Sequence, residues 1–363
     1  MALRPRGILV LSVHDRREGE EIPLSKRTFI AALLTLAFAA ALVAGTAGAR
    51  GAGSLNGAGA TFPAPLIALW QQSYHASTIN YNPIGSGGGI QAITNKQVDF
   101  GASDAPLTKD QFAACPCVQI PWALSATSVP YNIPGTGYGL HMTGPLLADI
   151  YLGKVDYWDN PKIKKINPGK SLPHVKITPI FRSDGSGTTY NFTDYLSKVS
   201  REFRNKVGNS TQVNFPAGIG ARGSSGVAAA LKRTEGGLTY VDVAYSLKNH
   251  FKIFKIQNRA KKWTLPGIRS ILAAASLVKK VSGSNEMHIV DPPANKKYAA
   301  AYPICTFTYA LLQKSTDKAS DVKAFVKWAV TKGQTVPGAQ KLLFVPIPKV
   351  VQTAAIKTLS KVH

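Results

Sequence analysis

Three short segments of this 363-residue chain share one chemical grammar: GAGATF at 57–62, GSGGG at 85–89 and DGSGTT at 184–189. Each mixes glycine with hydroxyl side chains at a point where an extended run yields to a helix. Glycine lets the backbone approach a ligand closely and lets successive N–H groups converge. The first N–H groups of a helix lack intrahelical partners and carry partial positive charge, which suits an oxyanion. Serine and threonine add donors that rotate to fit. Any one such segment is also what an ordinary cap or turn uses. Three in one chain, with Arg182 beside the last and Asp104 in VDFGASDAP, point instead to a bound anion.

Catalytic and nucleotide templates fit poorly. No G-x-x-x-x-G-K-[ST] run exists, so a phosphate-binding nucleotide loop is absent. GIGARG at 218–223 matches G-x-G-x-x-G, but Pro216 sits where a dinucleotide site needs a buried strand. There is no G-x-S-x-G elbow, and no histidine lies near the serine-rich segments to serve as a base. Ser186 therefore has no sequence partner for nucleophilic work. H-E-x-x-H and C-x-x-C are missing as well, and Cys115-Pro116-Cys117 is too short a run for a zinc pair without further ligands. The reading is a binding site with no metal and no cofactor.

The elements that must position these residues alternate in type, which indicates an α/β architecture. TFPAPLIALWQQSYH, GGGIQAITNKQ, PLLADIYLGKVDYW, GSSGVAAALKR and KASDVKAFVKWAVTKG read as helices, the last being the final helical run. TTYNFTDYLSKVSREFRNKV reads as one long helix. STINYNPIG, VDFGASDAP and VKITPIFR read as strands, and VKITPIFR delivers the third segment to its C-terminal end. GGLTYVDVAYSLKN reads as strand then helix. Two long extended runs, VQIPWALSATSVPYNIPG and YPICTFTYALL, read as crossovers between two lobes that share one chain twice. The expected division is 50–128 with 305–363 in lobe I and 129–304 in lobe II.

At the N-terminus Lys26 and Arg27 precede an apolar run from Phe29 to Val43, and Ala47-Gly48-Ala49 fits a cleavage site. This order reads as a secretory signal peptide, with 1–49 as leader plus extension and an exported mature chain. Retention of the apolar run as a membrane anchor is the alternative. Export permits a disulfide. One bridge is expected between the Cys115/Cys117 pair and Cys305, the only three cysteines. The formal net charge is +24, a balance that suits nucleic acid, an anionic membrane or an anionic ligand, or a surface adapted to its surroundings. No RNA-recognition signature, zinc-finger spacing or basic-zipper heptad accompanies it, so nucleic acid is not expected.

Several segments together carry a family resemblance: GAGATFPAPL, GSGGGIQAI, VDFGASDAPL, DIYLGKVDYWDNPKIKKINPG, RSDGSGTTYNFTDYL and GGLTYVDVAYSLKN. In this order they resemble the phosphate-binding PstS family, the extracytoplasmic receptors of phosphate ABC importers. The resemblance runs from about Ser54 to the C-terminal helix. It implies a two-lobed periplasmic-binding-protein fold of type II with two crossover hinge strands. It also implies a monomer with inorganic phosphate as ligand and a membrane permease and ATPase as partners. Carried over by position, phosphate contacts fall to Thr61, Phe62 through its main chain, Ser86, Asp104, Arg182, Ser186, Gly187 and Thr188. Gly87 and Phe181 stand where family members often have Ser and Arg. A secreted phosphatase, or a binder of another oxyanion, is the alternative function.

Elementary chemistry suits those roles. Arg182 can offer a planar fork to two oxygens, though it could equally pair with Asp184. A carboxylate at Asp104 accepts the proton that phosphate retains at neutral pH, whereas sulfate has none to give. Asp104 before Ala105-Pro106 could alternatively be a turn-capping residue.

Overall fold

The computed structural model describes residues 53–363; the leader expected at 1–49 lies outside the described residues. Among the described residues, no helix is long and apolar enough to cross a membrane. The largest sheet has six strands, in spatial order Val241–Asp242, Cys117–Ser128, Cys305–Gln313, Phe100–Ser103, Ser54–Gly59 and Thr78–Asn82. The last three pair in parallel, and the two long central strands run antiparallel to each other. Those central strands are the two extended runs of the sequence. Every residue in both is buried, the polar Gln119, Ser125, Thr308 and Gln313 included.

A five-stranded sheet follows the order Lys252–Ile253, Pro130–Asn132, Gly237–Thr239, Thr178–Arg182 and Ile219–Ala221. Only Val129 separates the strand Cys117–Ser128 of the first sheet from Pro130–Asn132 of the second. The chain thus passes directly between sheets there. Trp263–Thr264, Lys255–Gln257 and His141–Thr143 make a third, small sheet.

Aromatic side chains fix the helices to the first sheet. Trp70, on the helix Ala64–Ser73, meets Trp122 at 5.1 Å between ring centroids, and its indole N–H donates to Gly333 O at 2.7 Å. Phe100 and Phe325 complete that cluster, in edge-on and tilted contacts.

Three expectations are corrected. The long helix expected over 188–207 is two helices, Gly187–Val199 and Arg201–Lys206. Ser200 between them is extended (φ −138°, ψ 112°), and its hydroxyl accepts from Phe203 N–H at 3.2 Å. A serine inside an amphipathic run has acted as a cap for the second helix. KASDVKAFVKWAVTKG is not the final helix, because Lys349–Leu359 follows, starting directly after Pro348 and burying Val351, Ala355 and Leu359. Its β-branched start masks it in sequence.

The third concerns the cysteines. Cys115 and Cys117 are joined to each other, while Cys305 is a free, buried thiol whose Sγ donates to Tyr302 O. Register explains this: Cys117 faces Gln313 and Cys305 faces Ala126, at opposite ends of the central pair. At about 3.3 Å per residue that separation is roughly 26 Å, far beyond disulfide reach.

Candidate functional site

The three glycine-hydroxyl segments meet. Ser86 opens the helix Ser86–Thr94, and its hydroxyl accepts from Asp104 N–H at 3.2 Å and from Gly187 N–H at 3.0 Å. One oxygen therefore ties the second segment, the VDFGASDAP turn and the third segment together. Gly87 N–H donates to Gly185 O at 2.9 Å. A Cβ on Gly187 would stand 2.6 Å from Asp104 Cβ and 2.7 Å from Ser86 Oγ, so only glycine admits this approach. Gly87 is less tightly held: its Cβ would lie 3.1 Å from Gly185 Cα, a contact that a small shift relieves.

The first segment joins through Thr61. Its hydroxyl accepts from Arg182 Nη1 at 3.1 Å and shares a 2.7 Å hydrogen bond with Ser224 Oγ. Arg182 ends the strand Thr178–Arg182 and is 4% exposed. Asp184 grips the other side of its guanidinium, accepting from Nε at 2.6 Å and from Nη2 as well. Gly223 N–H donates to the same carboxylate at 3.0 Å. Burial lifts the Asp184 carboxyl, but hydrogen bonds from Arg182 and its charge overcome that and hold it below the ordinary carboxylate value. Arg182 thus pairs with Asp184 and also reaches Thr61 of the first glycine segment.

Asp104 is 2% exposed, and its Oδ1 has no hydrogen-bond partner. Burial pushes its carboxyl up to about 8, with Arg182 and the Ser86 hydroxyl pulling the other way. The Thr188 hydroxyl, 1% exposed, is likewise without a partner. Ser186 caps the helix Gly187–Val199, accepting from Thr189 N–H at 3.2 Å. Phe62, next to Thr61, turns its ring into the core against Phe344. Hydrogen bonds or close approach bring Thr61 to Arg182, and Ser86 and Asp104 to Gly187, with Ser186 capping the helix that Gly187 and Thr188 begin.

Sequence reasoning missed several supports. Ser224 sits second in the helix Gly223–Arg233, in a GSSG run of the same grammar as the other three, so its signal was present. Tyr245 donates its hydroxyl to Thr61 O at 3.0 Å. The Tyr240 hydroxyl accepts from Arg182 N–H at 3.1 Å, and Asn191 Nδ2 donates to Asp104 O at 3.0 Å. These three carry no local signal, because nothing in their neighbourhoods distinguishes them from core side chains. Asp242, fully buried nearby, caps Ala244 N–H at 2.8 Å, and burial lifts its carboxyl well above the ordinary range with Asp104 adding to the shift.

Comparison with known proteins adds a family to this geometry. A model described as a PBP superfamily domain matches residues 44–332. The chain is 42% identical over 301 residues to a phosphate-binding protein PstS of Xylella fastidiosa, covering 81% of each chain. It is 38% identical to a phosphate-binding protein PstS of Haemophilus influenzae, covering 85% of this chain and 92% of that one. Among solved structures, a high-affinity periplasmic phosphate-binding protein bound with phosphate aligns with a TM-score of 0.65 at 22% identity, over 83% of this chain and 92% of that one. A phosphate-binding protein from Stenotrophomonas maltophilia aligns with a TM-score of 0.64 at 20% identity, over 84% and 93%. The architecture is accordingly the two-lobed periplasmic-binding-protein α/β fold anticipated from the sequence. The chain belongs to the PstS family of phosphate-binding proteins, within the PBP superfamily.

Proposed function

We propose that this chain binds inorganic phosphate between its two lobes, outside the cytoplasmic membrane, and delivers it unaltered to the permease and ATPase of an ABC importer. Lobe I would comprise 50–128 with 305–363 and present Thr61, Phe62, Ser86 and Asp104. Lobe II would comprise 129–304 and present Arg182, Ser186, Gly187 and Thr188. One observation carries the reading: a buried arginine, a partnerless hydroxyl and a partnerless carboxyl oxygen stand on the segments that Thr61, Ser86 and Gly187 tie together. A guest with several acceptor oxygens that can also share a proton with that carboxyl matches it, which describes phosphate. The names of the relatives agree with that chemistry. The junction supplies no histidine base for a serine, so a role without bond making or breaking fits it best. Closure of the two lobes around the anion would exclude water and mark the loaded form for the membrane partner.

Titration calorimetry with inorganic phosphate should give one site per chain, and a chromogenic phosphate ester should release no product. Turnover of the ester, or an absence of phosphate binding by folded protein, overturns the reading. Glycine at 187 offers a steric check. Gly187→Val would force Asp104 and Ser86 away from the third segment. Phosphate affinity should fall by about 100-fold or more, because displacement of close-packed groups by even a methyl or two is strongly felt. Scattering should show the variant unable to compact on adding phosphate; a variant that compacts and binds like wild type refutes the closed contact.

A further inference from the structure

We infer that an anionic phospholipid surface docks on the face built around Leu265, Ile268 and Leu272 and ringed by three lysine pairs. These three apolar side chains are 43%, 38% and 41% exposed. Their spacing of three and four residues puts them on one side of the helix Ile268–Ala275 and the turn before it. The opposite side buries Ile271, Ala274 and Ala275 in the core. Core packing therefore accounts for the inner face only, and the outer face is apolar without an internal partner.

The charge around it is one-sided. From Lys252 to Asn285 the chain carries eight cations and no carboxylate. Lys261-Lys262 sits on the turn entering the strand Trp263–Thr264, Lys279-Lys280 follows the helix, and Lys296-Lys297 opens a short 3₁₀ turn. All six are exposed. The fold gathers these pairs: Asn258 Nδ2 donates to Ala299 O and Ala301 O, both at 3.0 Å, and Tyr302 N–H donates to Ser270 O at 3.2 Å. The proximity of Lys297, with partial desolvation, holds the Lys279 ammonium below the usual lysine value. Two ammonium groups so close favour an anion between them. Of the first carboxylates after this stretch, Asp291 is paired to Arg259 at 2.6 Å and Glu286 to His288 at 2.9 Å.

An apolar stripe flanked by flexible lysines is the composition of a surface that rests at a bilayer interface, with leucines at the acyl boundary and ammonium groups among headgroup phosphates. Three separate apolar side chains edged by long lysines suit a fluid surface better than the fixed contour of an acidic protein. The docking face is formed by residues other than the eight of the anion site, so phosphate binding and membrane residence are separable.

Hydrogen exchange of the full chain with vesicles of phosphatidylglycerol mixed with phosphatidylcholine reads the face directly, whatever the N-terminal apolar run does. Protection should appear in peptides spanning 259–280 and 294–298 with the anionic vesicles, vanish with pure phosphatidylcholine, and fade in high salt. Lys261→Glu, Lys262→Glu, Lys279→Glu and Lys280→Glu combined should weaken that protection's vesicle dependence by about 100-fold, given the attraction each lysine feels near an anionic surface. Leu265→Ser with Leu272→Ser should weaken it as well. A control reversing the scattered exposed Lys109, Lys165, Lys341 and Lys357 should leave the protection in place, and all variants should keep their phosphate-induced thermal shift. The inference fails if these peptides show no protection on anionic vesicles, as a docking site for protein alone would give, or if the scattered control loses as much.

Discussion

Arg182→Ala should weaken phosphate binding by about 10³-fold. The guanidinium is buried, held in plane by Asp184, and aimed past Thr61 at the junction of the glycine segments. A charge-assisted fork to two anion oxygens is among the stronger hydrogen-bonding arrangements. Truncating one partner of a buried hydrogen-bonded charge pair costs about 2–5 kcal/mol, and about 4 kcal/mol is the thousandfold expected. Stability should suffer too, because Asp184 would keep a charge with only Gly223 N–H to meet it. Arg182→Lys separates the two effects. It keeps the charge near Asp184 but replaces the fork with a compact ammonium. That variant should fold while binding about 100-fold more weakly. Calorimetry on both variants, after each is shown to melt cooperatively, measures this. A folded Arg182→Ala protein that binds phosphate within tenfold of wild type would remove the arginine from the site.

Much of this geometry was legible because the site is built from local grammar. Glycine at 85 and 187 marks close approach, and a hydroxyl next to each marks a helix start, so residue type alone identifies Ser86, Ser186 and Thr188. The central strands were legible for a different reason. Cys117–Ser128 and Cys305–Gln313 are buried along their whole length, which leaves long runs rich in apolar and β-branched residues. What failed was information held in register or in tertiary contact. Cys305 could be excluded from a bridge only by knowing that it faces Ala126 while Cys117 faces Gln313. Ser200 reads as a surface helix residue until Phe203 N–H is seen to need a cap. Val241–Asp242 is a two-residue strand that pairs with Ser128 and Thr127, joining the first sheet from a stretch of chain otherwise committed to the second. No periodicity can announce so short an element. Tyr240, Tyr245 and Asn191 belong to the same class, since a core tyrosine that supports an arginine looks like any other until its hydroxyl partner is located.

The second large effect is on anion choice, and pH sets its sign. In the folded chain the Asp104 carboxyl is raised to about 8, chiefly by burial, against an ordinary value near 3.9. A raised value means that the folded state holds the proton more tightly than the unfolded one. Asp104 therefore favours folding most fully below pH ~4 and loses that contribution as pH climbs through ~8. Phosphate brings its own proton: even the dianion keeps one O–H, which can donate to the Asp104 carboxylate, while a neutral Asp104 can donate to a phosphate oxygen. Sulfate brings no proton, so its binding requires Asp104 in the neutral form. Sulfate affinity should fall about tenfold per pH unit above pH ~8, while phosphate affinity changes little, and discrimination widens accordingly. Asp104→Asn puts amide N–H donors in place of the carboxyl at every pH. In that variant sulfate should bind with no such slope, and about two pH units above ~8 the preference for phosphate should drop by about 10². The unliganded variant should also show a flatter melting temperature between pH ~4 and ~8 than wild type, with Asp242 common to both and cancelling in the comparison. Calorimetry with both anions at three pH values decides the matter. Parallel slopes for sulfate and phosphate in wild type, or an unchanged ratio in the variant, would mean that selection does not run through this proton.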